Sequence, residues 1–339
     1  MGTVATESPI WGAQDAQSSL DVRLLQALEI DGRAPFSKIA AVLGVSDQTV
    51  ARRYRKLVSD GSLRIVAVRD HGKLGQDQWM LRLRCAPDGA EAIASALARR
   101  PDTAWIGLTS GGTEVVCCTR PRTRTDQDDL MLGKLPRTPH IIDIHAQQVL
   151  HRFFGGPDGW LMKHGPLSAE QSAALRPALP ASAVRAEGPL RIEPEDEPLV
   201  AALEEDGRAT YPELQRATGR SESAVKRRLG ALRASGAIYI DIEYANTLID
   251  LHVGAMLWIT TAPRATDSVG RALASHAEIA HASAVAGPSN IMATAVTRDI
   301  PALYAYLSGK LGQLDGVQHV ETAPFMRRVK QLTYRPYLR

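Results

Sequence analysis

Two stretches of this chain carry residue types, at helical spacing, that can hydrogen-bond to DNA. Ser46-x-x-x-Val50-x-Arg52-Arg53-x-x-x-Leu57-x-x-x-Gly61 recurs as Ser221, Val225, Arg227, Arg228, Leu232 and Gly236. Arginine presents a planar fork of donors that matches phosphate oxygens and the guanine edge. In the first stretch Gln48, Thr49 and Arg52 lie off the apolar stripe of Val50, Tyr54 and Leu57, near the N-terminal end. A recognition helix presents its base-reading side chains there. Arg55, Lys56 and Arg64 follow, at places from which phosphates can be reached. The second stretch offers Ser223, Ala224, Lys226 and Arg227, with Glu222 beside them. Arg53 and Arg228 sit nearer the stripe, so they are expected to pair with Asp21 and Asp196 at the head of each unit's first helix.

Other chemistry is poorly served. Cys85, Cys117 and Cys118 lack the spacing of a C-x-x-C metal pair or a disulfide framework. His140, His145 and His151 are spaced by five and six, which suits neither one strand face nor an i, i+4 helical chelate. No Gly-rich phosphate loop, Ser-His-Asp pattern or paired catalytic carboxylate occurs. No catalytic residue, metal site or cofactor is therefore expected. The net charge is only +3, so any nucleic-acid contact must come from local clusters. With 44% hydrophobic and 23% charged residues the chain reads as globular. It has no apolar run of bilayer length and no signal sequence, which predicts a cytoplasmic protein without a membrane partner.

The elements that must position these residues come in duplicate. Sliding the chain on itself by 175 positions aligns 20–70 with 195–245 without a gap, with 17 identities in 51 positions. Both copies contain A-L-E-x-D-G-R-A, at 27–34 and 202–209. Each copy holds three short apolar bursts at helical period, broken by glycine turns, and the third opens with a serine suited to an N-cap. That is a helix-turn-helix arrangement. Each copy is followed by segments of strand, helix, strand, strand, helix, strand, the order of a ferredoxin-like βαββαβ plait. The fold class is α+β, with two winged helix-turn-helix modules alternating with two plaits. The expected boundaries are a loose tail at 1–19, modules at 20–70 and 195–245, plaits at 76–150 and 250–330, and a linker at 151–194 in which the capping-box pattern Ser168-x-x-Gln171 begins one short helix.

The motifs at 20–34 and 46–61, followed by a plait, resemble the Lrp/AsnC family of bacterial transcription regulators. The chain resembles two such units fused. The resemblance implies sequence-specific binding of double-stranded DNA, plaits that assemble into homo-oligomers, and sensing of an amino acid or related metabolite. In that family the second and third plait strands meet at a G-x-x-D turn near the effector site. The matching residues here are Gly111-Gly112-Thr113-Glu114 and Gly287-Pro288-Ser289-Asn290. Siroheme decarboxylases are similar in fold, but they carry an H-N-Y motif where this chain has His281-Ala282-Ser283. Such an enzyme and an interaction scaffold without DNA binding are the alternatives to a regulator.

Overall fold

The computed structural model describes residues 16–177 and 190–333, so most of the expected N-terminal tail and residues 178–189 of the expected linker lie outside the described residues. The first module comprises α1 (Ala16–Ile30), α2 (Phe36–Leu43), α3 (Asp47–Ser59) and β1 (Leu63–Arg69). The first plait is β2 (Trp79–Cys85), α4 (Ala90–Ala98), β3 (Thr103–Thr109), β4 (Glu114–Thr119), α5 (Arg124–Asp128) and β5 (Ile141–Phe154). After α6 (Ala169–Leu175) the second module follows as α7 (Glu197–Glu205), α8 (Tyr211–Thr218), α9 (Glu222–Ser235) and β6 (Ile238–Tyr244). The second plait is β7 (Val253–Thr261), α10 (Thr266–Ser275), β8 (Ile279–Val285), β9 (Ile291–Thr297), α11 (Ile300–Tyr306) and β10 (Val317–Pro324), and β11 (Arg327–Lys330) ends it.

The two units pair within the chain. β1 and β6 form an antiparallel two-stranded ribbon, from Leu63 opposite Tyr244 to Arg69 opposite Ile238. Each module thus contributes one strand to a shared wing. The nine remaining strands run in the order β10-β7-β9-β8-β5-β2-β4-β3-β11. Two crossings join the plaits: the far half of β5 pairs with β8, and β11 reaches back to pair with β3. The two plait sheets also face each other, burying Met80, Val116 and Cys118 against Met256, Trp258 and Met292. Helices cover the outer faces, where each plait has its own core around Leu81, Ile93 and Ile106 or Leu257, Leu273 and Ile291.

The sequence reading of 151–194 as a linker needs correction over its first half. β5 continues to Phe154, and Trp160, Leu161, Leu167 and Leu175 are buried in the core of the first module. Gln171, in a capping box with Ser168 at the start of α6, also donates to the Val42 carbonyl at 3.0 Å. Gly and Pro in this stretch disguised apolar anchors too widely spaced to show a helical or strand period.

Candidate nucleic-acid interface

Each recognition helix is set by its turn. Gly44 and Gly219 end α2 and α8 with φ of 70° and 67°, a left-handed conformation that side chains with a Cβ rarely adopt. Ser46 and Ser221 then cap α3 and α9, their hydroxyl oxygens accepting from the Thr49 and Ala224 amides at 3.2 and 3.4 Å. Val50 and Leu57, and Val225, Leu229 and Leu232, are the buried stripes. That burial fixes which residues face outward.

In the first module Gln48, Arg52, Arg55 and Lys56 are exposed and Thr49 is half-buried, its hydroxyl 2.9 Å from that of Ser46. Arg55 donates from Nε to the Ala51 carbonyl. In the second, Ser223, Lys226 and Arg227 are exposed and Ala224 is half-buried. Lys226 is held by Glu222 at 2.5 Å and lies 4.8 Å from the Tyr211 ring. Arg52 and Arg227 have no hydrogen bond or ion pair among the described residues, so each helix presents one uncommitted guanidinium at the matching place. Arg64 is not with them. Its guanidinium bonds the Thr333 hydroxyl and, at 2.7 Å, the Glu205 carbonyl, because β1 turns it toward the second unit.

The expected carboxylate pairs form. Arg53 meets Asp21 at 3.4 Å, and Asp196 accepts from Arg228 through Nε at 3.0 Å and from Arg220 at 2.9 Å. Burial alone would raise the Asp196 carboxyl, but Arg228 and Arg220 hold it below the ordinary range. Burial outweighs Arg53 at Asp21 and raises it. Each pair ties the third helix of a module to its first, which fixes the rotation of the exposed face.

A reciprocal clasp, which the sequence reading did not identify, sets the distance between the two helices. Arg33 donates to the Gly207 and Ala209 carbonyls at 2.7 and 3.0 Å, and Arg208 donates to those of Gly32 and Ala34 at the same distances. Arg208 also lies 4.5 Å from the Phe36 ring centroid, and Arg33 5.6 Å from that of Tyr211. The glycines are required by the close approach of the ribbon. A Cβ on Gly207 would stand 2.9 Å from the Val66 amide nitrogen, and one on Gly32 2.5 Å from Ile240. The available signal was the repeated D-G-R-A itself, a loop sequence identical in both copies whose arginine side chains have no acidic partner within the motif other than the turn aspartate, which is spent on the backbone amide two residues on.

The plait turns are already occupied. Glu114 is buried and accepts from Arg82 at 2.9 Å and from Thr109 and Ser110, and Arg82 continues to Glu321 of the second plait. Gly111 and Gly112 have φ of 69° and 84° and turn the chain ahead of Thr113, whose hydroxyl donates to the Ser110 carbonyl. In the other turn Asn290 bonds Thr261 and Thr266, Gln147 donates to the Ser289 carbonyl beside Gly287, and the Pro288 carbonyl accepts from Thr260. The two turns therefore use their polar groups on their own plaits and neighbouring strands. A central cavity lies elsewhere, between ribbon and sheets, where His281 stands with Nε2 2.8 Å from the Ser283 hydroxyl. Burial, with Arg152 and Arg120 nearby, lowers the His281 pKa to about 4.

Comparison with known proteins agrees with this layout. Residues 18–58 match an AsnC-type helix-turn-helix domain, 199–239 a winged helix-turn-helix DNA-binding domain, and 254–334 an Lrp/AsnC ligand binding domain. An uncharacterized HTH-type transcriptional regulator of Pyrococcus furiosus is 27% identical over 124 residues, 36% of this chain and 84% of that protein. Another HTH-type regulator, from Pyrococcus horikoshii, is 26% identical over 121 residues, 34% of this chain and 80% of its own. Relatives of that length correspond to one unit here. The crystal structure of the siroheme decarboxylase NirDL superposes over 94% of both chains with a TM-score of 0.59 at 15% identity, a likeness of fold. The chain thus carries two helix-turn-helix domains, one of AsnC type, and an Lrp/AsnC ligand binding domain, arranged as two units.

Proposed function

We propose that the chain binds double-stranded DNA as an intrachain pseudo-dimer that reads two unlike half-sites. One observation carries this reading: two capped recognition helices are clasped together in a single chain, each with one uncommitted arginine, Arg52 and Arg227, on its exposed face. Gln48, Thr49 and Arg52 face base edges in one half-site, with Arg55 and Lys56 on its phosphates. Ser223, Ala224 and Arg227 face the other, with Lys226 drawn from Glu222 to phosphate. Arg64 has no part in this, because its donors are spent on Thr333 and Glu205. A small metabolite such as an amino acid acts through the plaits, and further copies associate through plait surfaces where Ile142 and Leu150 are exposed at 60% and 64%.

We read the chain as a regulator and not as an enzyme. The cavity measures about 170 Å³, below the roughly 300–1,000 Å³ of sites for drug-sized ligands, and a tetrapyrrole is larger still. His281-Ala282-Ser283 also replaces the motif of the siroheme decarboxylases. Fluorescence anisotropy with DNA from the region upstream of its own gene tests the reading at low salt. Saturable binding lost in a double variant, Arg52→Ala with Arg227→Ala, supports it, and flat anisotropy with folded wild-type protein rejects it.

A further inference from the structure

The cavity lies at the centre of the molecule, walled by the β1–β6 ribbon, the facing plait sheets and the crossing strands β5 and β11. Much of its surface is apolar, with Met80, Ile106, Met256, Met292 and Phe325. Four guanidinium groups reach it. Arg69 is bonded to Glu197 and Glu204, Arg152 to Asp70 at 2.9 Å, and Arg328 lies over the Trp105 and Phe325 rings.

Arg120 differs from these three. Among the described residues no carboxylate lies within ion-pair distance of its half-buried guanidinium, whose neighbours are the Cys118 thiol, Tyr239 and, farther off, Asp241. His71, on the same wall, is buried with its side chain beside that of Gln76. Burial, with the charges of Arg120 and Arg69, lowers the His71 pKa to about 3 and keeps the ring neutral. Asp241 lines the cavity too, but burial pushes it up to about 7, so it is partly protonated near neutral pH and offsets Arg120 incompletely. An arginine keeps its charge in any protein interior, and this one lines an apolar cavity with no carboxylate at ion-pair distance among the described residues.

We propose that this cavity binds a small organic carboxylate, which pairs with the Arg120 guanidinium while its apolar body lies among the methionines. The volume of about 170 Å³ restricts the occupant to a compact molecule. Because the walls come from the ribbon under the recognition helices and from both plaits, occupancy bears on their relative placement. A ligand shifts such an equilibrium only by its differential affinity for the two arrangements. This site is separate from the plait turns around Glu114 and Asn290, and it stands or falls independently of DNA binding.

Thermal unfolding of the dialysed full-length chain tests it with benzoate, 4-methylpentanoate, inorganic phosphate and sodium chloride at matched ionic strength. A saturable rise in Tm with at least one of the two carboxylates, but with neither phosphate nor chloride, is expected. Arg120→Gln should weaken the apparent affinity at least tenfold, and Lys134→Gln, at an exposed ion pair on the first plait, should leave it unchanged. Crystals soaked in 4-bromobenzoate give a second readout should Arg120→Gln not fold: a bromine peak in the central cavity supports the proposal. No rise with either carboxylate, an equal rise with phosphate, undiminished affinity in folded Arg120→Gln, or bromine found only outside the cavity overturns it.

Discussion

Replacing Arg208 by alanine tests how the two modules are held at a fixed spacing. The substitution removes two charge-assisted hydrogen bonds, to Gly32 and Ala34 at 2.7 and 3.0 Å, and the stacking on Phe36 at 4.5 Å and Tyr54 at 5.4 Å. Each such bond is worth about 1.5–3 kcal/mol and the ring contact about 0.5–2 kcal/mol. Burial opposes the guanidinium charge, so part of that gain is already spent on desolvation. The expected loss is about 2–4 kcal/mol, which lowers the first calorimetric transition by roughly 5–15 °C. Arg33→Ala should shift it less, because Arg33 has a single, more distant ring partner, Tyr211 at 5.6 Å. Arg52→Ala, at an exposed uncommitted residue, should shift it hardly at all. A Tm for Arg208→Ala within about 1 °C of wild type would refute the clasp as the element that fixes the spacing.

Three further outcomes follow from the same structure. If the two modules neutralise about six to eight phosphates, log K should fall against log salt with a slope of about −5 to −7, and a slope near −3 would mean that one module engages. Asp196→Asn breaks contacts to two arginines and should cost about 2–3 kcal/mol, toward the lower end because Arg228 and Arg220 are 36% and 27% exposed. Asp21→Asn should cost less in the same urea titration, and the Asp196 contribution, present above about pH 4, should disappear as pH falls through its lowered pKa. Burial raises Glu29 to about 8, so the folded state holds an extra proton between about pH 4.5 and 8 and stability falls as pH rises through that window. Each pH unit there costs up to about 1.4 kcal/mol for such a group, and Glu29→Gln should flatten the urea midpoint measured from pH 5 to 8.

The modules and the plaits were legible because their signals are local. Apolar period, serine caps and glycine turns place α2 at Phe36–Leu43, and short apolar runs place β2 and β7, without any knowledge of the partner unit. The exposed face of α3 followed from the same stripe. What escaped sequence reasoning depends on contacts far apart in the chain. β11 is four residues long and is defined by its pairing with β3 more than two hundred residues earlier. Arg64 looks like a phosphate contact by its place after α3, and only the paired ribbon directs it to Glu205. Trp160 and Leu161 sit among glycines and look like linker, but the first module needs them to close its core. Arg120 follows an ordinary strand pattern, and its place on the wall of the central cavity is a property of the assembled sheets.

The claim that one chain reads two unlike half-sites is tested most directly by hydroxyl-radical footprinting of wild type, Arg52→Ala and Arg227→Ala on one bound operator. Wild type should protect two half-sites of different sequence, spaced by about one or more helical turns of 10–10.5 base pairs. Arg52→Ala should lose protection at one half-site and Arg227→Ala at the other. A perfect palindrome in which both halves respond to the same substitution would contradict the account, because it would require the two recognition helices at one operator to come from two copies of the same module.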